Sequence, residues 1–148
     1  MLEKKHIYPT ILTTIQLGSL VYILVTGPVI ADSISGFLME AAGIFLGLLS
    51  IYVMKPGNFN IRPLIKSGGI LITSGPYRLI RHPMYTAQVV AIIPLVAESF
   101  SYWRLGVLII LVVDLLIKIE FEEKLLLQHF SQYENYKASS KKLIPFIY

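Results

Sequence analysis

The chain has 148 residues, of which 55% are hydrophobic and 15% charged, with a net charge of +4 and a mean hydropathy of +0.67. Soluble domains average about 45–50% apolar and about 25% charged residues, so a solvated globule of this composition would expose too much apolar surface and the chain reads as an integral membrane protein. The same figures exclude intrinsic disorder. They argue against a nucleic-acid partner as well, because the basic residues sit between apolar runs instead of on one soluble face. With no cysteine there are no disulfides, thiolate metal sites or Cys nucleophile, and His6, His82 and His129 lack metal-ligand spacing.

Residues 10–31 carry no charge until the chain reaches Asp32. As a helix this run spans about 33 Å, enough to cross a hydrocarbon core. It follows Lys4 and Lys5 but exceeds the length of a signal-peptide apolar region, so it reads as a retained span. A turn over residues 31–36 leads into a second span at 36–54, whose only charge is Glu40. These two spans predict an antiparallel hairpin, with Gly43 and Gly47 offering a close-contact face.

Residues 55–83 hold Lys55, Arg62, Lys66, Arg78 and Arg81, several Gly and Pro, and no acid. A connection longer than about 12–15 residues usually carries function. Short apolar segments at 84–97 and 105–117, the second interrupted by Asp114, predict another helical hairpin. Helical spacing of Leu116, Ile119, Glu120, Glu123 and Leu127 extends the last helix to about Phe130. The tail at 131–148 is expected to pack back on the long loop. The fold class is therefore an all-α integral membrane protein of about four transmembrane helices in two hairpins, with a long functional loop and a C-terminal helix extension. It forms one unit over 1–148, a hairpin at 1–54 followed by the functional part at 55–148. Twelve of the 13 Lys and Arg residues fall to one side if both ends are cytoplasmic, Arg104 being the exception, so both termini and the long loop are placed in the cytoplasm.

Two clusters hold the candidate chemistry. In the first, running from Gly75 to Tyr85, a basic loop enters a helix. Pro83 suits the first helical position, and Arg81, His82 and free N–H groups at that helix start would face an anion. The bland alternative is interfacial anchoring by Arg78, Arg81, Tyr77 and Tyr85. The second cluster runs from Lys118 to Lys124. Asp114, Lys118 and Glu122 share one helix face, and Glu120 and Lys124 are spaced as a pair. Asp114 is expected to partner Lys118. Glu40 and Asp114, inside apolar runs, should face protein or water.

At these clusters the sequence resembles the isoprenylcysteine carboxyl methyltransferases and their bacterial and archaeal relatives, with phospholipid N-methyltransferases sharing the looser pattern. The similar stretches are Asn58-Phe59-Asn60, the run from Gly69 to Tyr77, and Arg81-His82-Pro83-Met84-Tyr85. They continue with Glu122-Glu123, then Phe130, Tyr133 and Tyr136, then Ile144-Pro145. The resemblance implies a loop and helix extension enclosing S-adenosylmethionine, with a lipophilic or prenylated acceptor arriving from the membrane lipids. It implies cofactor contacts from Arg62, Gly69, Ile70, Leu71, Ile72, Tyr77, His82, Pro83, Met84, Tyr85 and Glu122. Lys118 falls where those enzymes place an arginine near the substrate carboxylate. A carboxylate acceptor needs alignment and water exclusion but no base; an amine acceptor needs one, with Glu123 or His82 the candidates. The competing readings are a sterol-type NADPH reductase and a non-enzymatic membrane adaptor. The reductases typically carry an Asp-Glu pair followed by Cys, where this chain has Glu122-Glu123 and no Cys.

Overall fold

The structure is a computed structural model that describes residues 2–55, 58 and 68–148, with side chains described from Ile7 onward. The described residues form five helices and no strands: α1 (Leu2–Val25), α2 (Ile34–Met54), α3 (Pro83–Glu98), α4 (Tyr102–His129) and α5 (Tyr133–Ser139).

The first helix stops at Val25, six residues short of the end expected from apolarity alone. Gly27-Pro28 is the cause: the proline ring disfavours helical backbone at the residue before it and supplies no N–H to continue the ladder. Val29 and Ile30 therefore lie in the connection, exposed. The buried face of α1 follows helical spacing through Leu12, Gln16, Ser19 and Ile23. The second helix begins as the sequence indicates. Ser33 caps it, its hydroxyl accepting the Gly36 N–H at 3.0 Å.

The buried seam of α2 is made of small or polar residues, Gly36, Glu40, Gly43 and Ser50. Phe37, Leu38, Phe45, Leu48 and Tyr52 point outward and are exposed. A helix this apolar on its outer face is stable beside hydrocarbon. Among the described residues two helical segments, Ile7–Val25 and Ile34–Met54, are long and apolar enough to cross a membrane. The apolar helix α3 is shorter at 16 residues, and α4 is 28 residues long.

The packing departs from two self-contained hairpins. The consecutive helices α1 and α2 hardly touch; α2 lies along α3 and α1 along α4. The seam explains the α2–α3 pairing, since a Cβ at Gly43 would come within 2.6 Å of the Ala91 backbone nitrogen and 2.8 Å of the Ala87 carbonyl oxygen. Backbones this close leave no room for a side chain.

The helix ends away from the long loop are tied by charged side chains, Arg104 and Glu40 buried and Glu98 exposed. Arg104 donates from Nη1 to the Ile23 carbonyl at 2.8 Å and to Thr26 Oγ1 at 2.9 Å, and from Nη2 to the Leu95 carbonyl at 2.8 Å. It thereby ties together the last turns of α1 and α3 through their carbonyls. Glu40 accepts the Ala31 N–H at 2.9 Å, and Glu98 accepts those of Asp32 at 2.5 Å and Ser33 at 3.0 Å. Glu40 thus faces protein, as its place in an apolar run requires.

The close approach at Gly43 is testable. Gly43→Ala should destabilise the protein by about 1–3 kcal/mol through overpacking, read as a lower melting temperature in detergent. Gly18→Ala, whose new Cβ would meet nothing within 4 Å, should hold or raise it. Equal melting of the two variants would contradict the packing described.

Candidate functional site

The long loop is closed at its described ends by one side chain. The Asn58 carboxamide donates to the Ile70 carbonyl at 2.8 Å and accepts the Ile70 N–H at 2.9 Å, a two-point clamp across the loop. Arg62 lies outside the described residues, as do Phe59 and Asn60. After the clamp, Gly75 takes a positive φ of 58° with its Cα side against Val53, where a Cβ would approach 3.0 Å from Cγ2. Glycine meets both demands. It opens a 3₁₀ turn over Gly75–Arg78 that buries Tyr77.

The tail packs on this segment, as expected. Ile80 and Lys141 form a parallel bridge. The Arg81 N–H donates to the Lys141 carbonyl at 2.7 Å and the His82 N–H to that of Lys142 at 3.1 Å. Tyr136 Oη donates to the Tyr77 carbonyl at 2.6 Å, and Thr86 Oγ1 to the Leu143 carbonyl at 2.8 Å. Pro83 is the first residue of α3, with His82 preceding it. The tail thus takes up the backbone N–H groups just before α3, while at the helix start itself the Tyr85 and Thr86 N–H groups are turned toward the His82 carbonyl, at 3.1 and 3.2 Å.

The Arg81 guanidinium is also committed internally. Its Nε pairs with Glu123 Oε1 at 2.7 Å, and its Nη1 donates to the Lys137 carbonyl at 3.1 Å and to the Ser140 carbonyl. Glu123 further meets His82 Nε2 and Lys137 Nζ, each at 3.4 Å. His82 Nδ1 lies 3.4 Å from Glu122 Oε2, and Tyr85 Oη donates to Glu122 Oε1. The His82 and Tyr85 rings stack with 5.7 Å between centroids. Burial opposes a charge on His82, but hydrogen bonds and charge from Glu122 and Glu123 outweigh it and raise its pKa. Burial likewise opposes the Glu123 carboxylate, yet hydrogen bonds and charge from His82 and Arg81 hold it down at about 2.

Two expected pairs do not form. Lys118 donates to Gln16 Oε1 at 2.5 Å and lies 5.5 Å from the Tyr85 ring centroid, while both Asp114 carboxylate oxygens are buried without a hydrogen-bond partner. Gln16 on α1 reaches the ammonium that the spacing within α4 assigns to Asp114. Glu120 pairs with Lys142 of the returning tail and not with Lys124.

Beside this cluster is a cavity of about 510 Å³, within the range of small-molecule sites. Of the residues anticipated from sequence, it is lined by Ile70, Leu71, Ile72, Tyr77, His82, Pro83, Met84, Tyr85 and Glu122. Gly69, Lys118 and Glu123 stand outside the lining. Lys118 and Glu123 form the buried layer behind it, 0% and 2% exposed. Tyr133 and Tyr136 line it too, and the hydroxyls of Tyr77 and Tyr133 are buried without partners. Those two unpartnered groups are unusual in a folded interior and suit a polar ligand.

Sequence reasoning missed the other end of the cavity, built by Gln16, Leu17 and Leu20 of α1, Gly43, Ile44, Gly47 and Ile51 of α2, and Gln88 and Ala91 of α3. Leu17, Ile44 and Ile51 are at once lining and exposed, so this end opens outward between α1 and α2. The signal in the sequence was Gln16, a carboxamide in an uncharged, largely apolar span.

The family model described as phospholipid methyltransferase matches residues 31–133. The chain belongs to that family, a family of membrane methyltransferases related to the one its motifs resemble. It is a membrane protein of methyltransferase type. No curated protein matches the chain significantly.

The buried ion cluster makes stability depend on pH from both sides. His82, raised above 6.5 in the fold, stabilises fully below pH 6.5 and loses that contribution as pH climbs through its folded value. Glu123 contributes fully above pH 4.5 and loses that contribution as pH falls toward 2. Melting temperature should therefore fall on both limbs, and His82→Asn should flatten the alkaline one. Glu123→Gln should destabilise by about 3–5 kcal/mol at pH 7, because Arg81 is left buried without its counter-charge. A flat profile in the native protein, or a silent Glu123→Gln, would contradict the cluster.

Proposed function

We propose that the chain is an S-adenosylmethionine-dependent methyltransferase acting on a lipophilic acceptor, foremost a carboxylate, as in C-terminal isoprenylcysteine O-methylation. The observation that carries this reading is the two-ended cavity. One end presents Glu122, Tyr85, His82 and two unpartnered buried hydroxyls; the other is apolar and opens between α1 and α2.

The residues at the loop end fit such a donor. Glu122 offers a carboxylate to an ammonium or to ribose hydroxyls, the Tyr77 and Tyr133 hydroxyls are donors for a carboxylate, and Ile70, Leu71, Ile72 and Met84 give apolar contact. When bound, S-adenosylmethionine supplies a methyl group activated on a sulfonium. The work of the protein is alignment and exclusion of water. A carboxylate acceptor asks for no proton acceptor, which agrees with the commitment of Glu123 and His82 to an internal ion cluster. Lys118 supports the acceptor end from behind Gln16.

The Lys and Arg bias supports four crossings, both termini in the cytoplasm, and a site supplied from that side. A second reading, transfer to a phospholipid amine, is favoured by the family's description. It requires a group to take the ammonium proton, for which His82 and Glu123 are the candidates.

The test is incubation of the purified protein with methyl-labelled S-adenosylmethionine and, separately, total membrane lipid and prenylcysteine extract. Base-labile label in a lipophilic product, released as methanol, is the expected result for a carboxyl ester. Base-stable label on phospholipid would favour the amine reading, and no transfer would overturn both. Glu122→Ala should abolish donor binding in calorimetry; unchanged affinity would contradict its role.

A further inference from the structure

At the apolar end of the cavity three helices contribute one hydrogen-bond chain. Lys118 of α4, 0% exposed, donates from Nζ to Gln16 Oε1 of α1 at 2.5 Å. Gln16, 5% exposed, donates from Nε2 to Gln88 Oε1 of α3 at 2.6 Å. Gln16 and Gln88 line the cavity and Lys118 does not.

The direction of this chain is dictated by chemistry. An ammonium has three donors and no acceptor, whereas each carboxamide has one donor end and one acceptor end. Lys118 therefore forces Gln16 to present its oxygen backward and its nitrogen forward. Gln88 must then present its oxygen to Gln16, which leaves the Gln88 NH₂ group as the chain's free end. That group has no hydrogen-bond partner among the described residues, and Gln88 shares the lining of the cavity with apolar residues of α1, α2 and α3. Linked donors polarise one another in a low-dielectric setting. A partly buried N–H without a partner is a group that a ligand can satisfy at a gain.

We propose that this relay is the subsite for an electron-rich oxygen of the acceptor, a carboxylate in first place, with Gln88 making the contact and Gln16 and Lys118 acting as positioning residues. The proposal rests on the methyl-transfer reading and narrows it. A chain ending in a donor attracts an oxygen, whereas an ammonium would meet only amide oxygens already engaged by Gln16 and Lys118, so the subsite favours an anionic oxygen over an amine.

The test is equilibrium binding of two radiolabelled probes to the protein in nanodiscs: an S-prenylated N-acetylcysteine, which carries the carboxylate, and the matching prenylamine. The native protein should prefer the carboxylate by about tenfold or more, the worth of one hydrogen bond to a charged group. Gln88→Glu, equal in size but ending in an acceptor, should reverse the preference, and Gln88→Ala should erase it. Lys118→Met, which frees both carboxamides to flip, should erase most of it, while Lys118→Arg should retain it. Equal binding of the two probes by the native protein, or a native ratio in both Gln88 variants, would overturn the subsite. Preference for the carboxylate without any methyl transfer would overturn the enzymatic reading and leave the subsite standing. Transfer without the preference would do the reverse.

Discussion

A buried guanidinium–carboxylate pair, Arg81 with Glu123, holds the functional half of the molecule together. Both side chains are nearly inaccessible to water, and ions so placed are tolerated only when each is paired and further hydrogen-bonded. Arg81 meets that condition by taking carbonyls at Lys137 and Ser140 from the tail as well as the carboxylate from α4. One residue therefore fixes the start of α3 against the end of α4 and the closing segment of the chain. His82 and Tyr85 inherit their positions beside Glu122 from that fixation. Without it the polar end of the cavity has no defined shape.

The opposite end depends on a different constraint. The glycine at position 43 lets α2 lie against the α3 backbone, and α1 is drawn away to α4. The first two helices are thereby parted and the cavity runs out between them, flanked by residues that are exposed and apolar. A site with one polar end beside a loop and one apolar end beside outward-facing hydrocarbon side chains can bring a water-soluble molecule and a lipid into one space. A soluble fold would have had to bury that second end.

What was legible in the sequence was local. The turn between the first two helices, proline at the first position of α3 and the helical spacing that carries α4 past the apolar run all follow from neighbouring residues. These place the cavity's loop-end lining from Ile70 to Tyr85. Most of the differences have one cause, which is competition from residues distant in the chain. Spacing within α4 offered Asp114 to Lys118 and Lys124 to Glu120, but Gln16 and Lys142 reach those groups in three dimensions. The backbone N–H groups just before α3 are taken by carbonyls of the tail, more than 50 residues further along. The end of α1 differs for a local reason, because the backbone preference imposed by Gly27-Pro28 overrides the apolarity of the residues around it.

The central claim is that the loop, the start of α3 and the end of α4 enclose one nucleotide-sized ligand. Photolabelling with a light-activated analogue of S-adenosylmethionine, followed by mass mapping of the modified peptides, tests it most directly. The account predicts label on residues 70–72, on Tyr77 and on the turn from Glu122 to Leu126, displaced by unlabelled S-adenosylmethionine. Displaceable label confined to the outer groove of α4, around Tyr8, Val113 and Lys124, would contradict it.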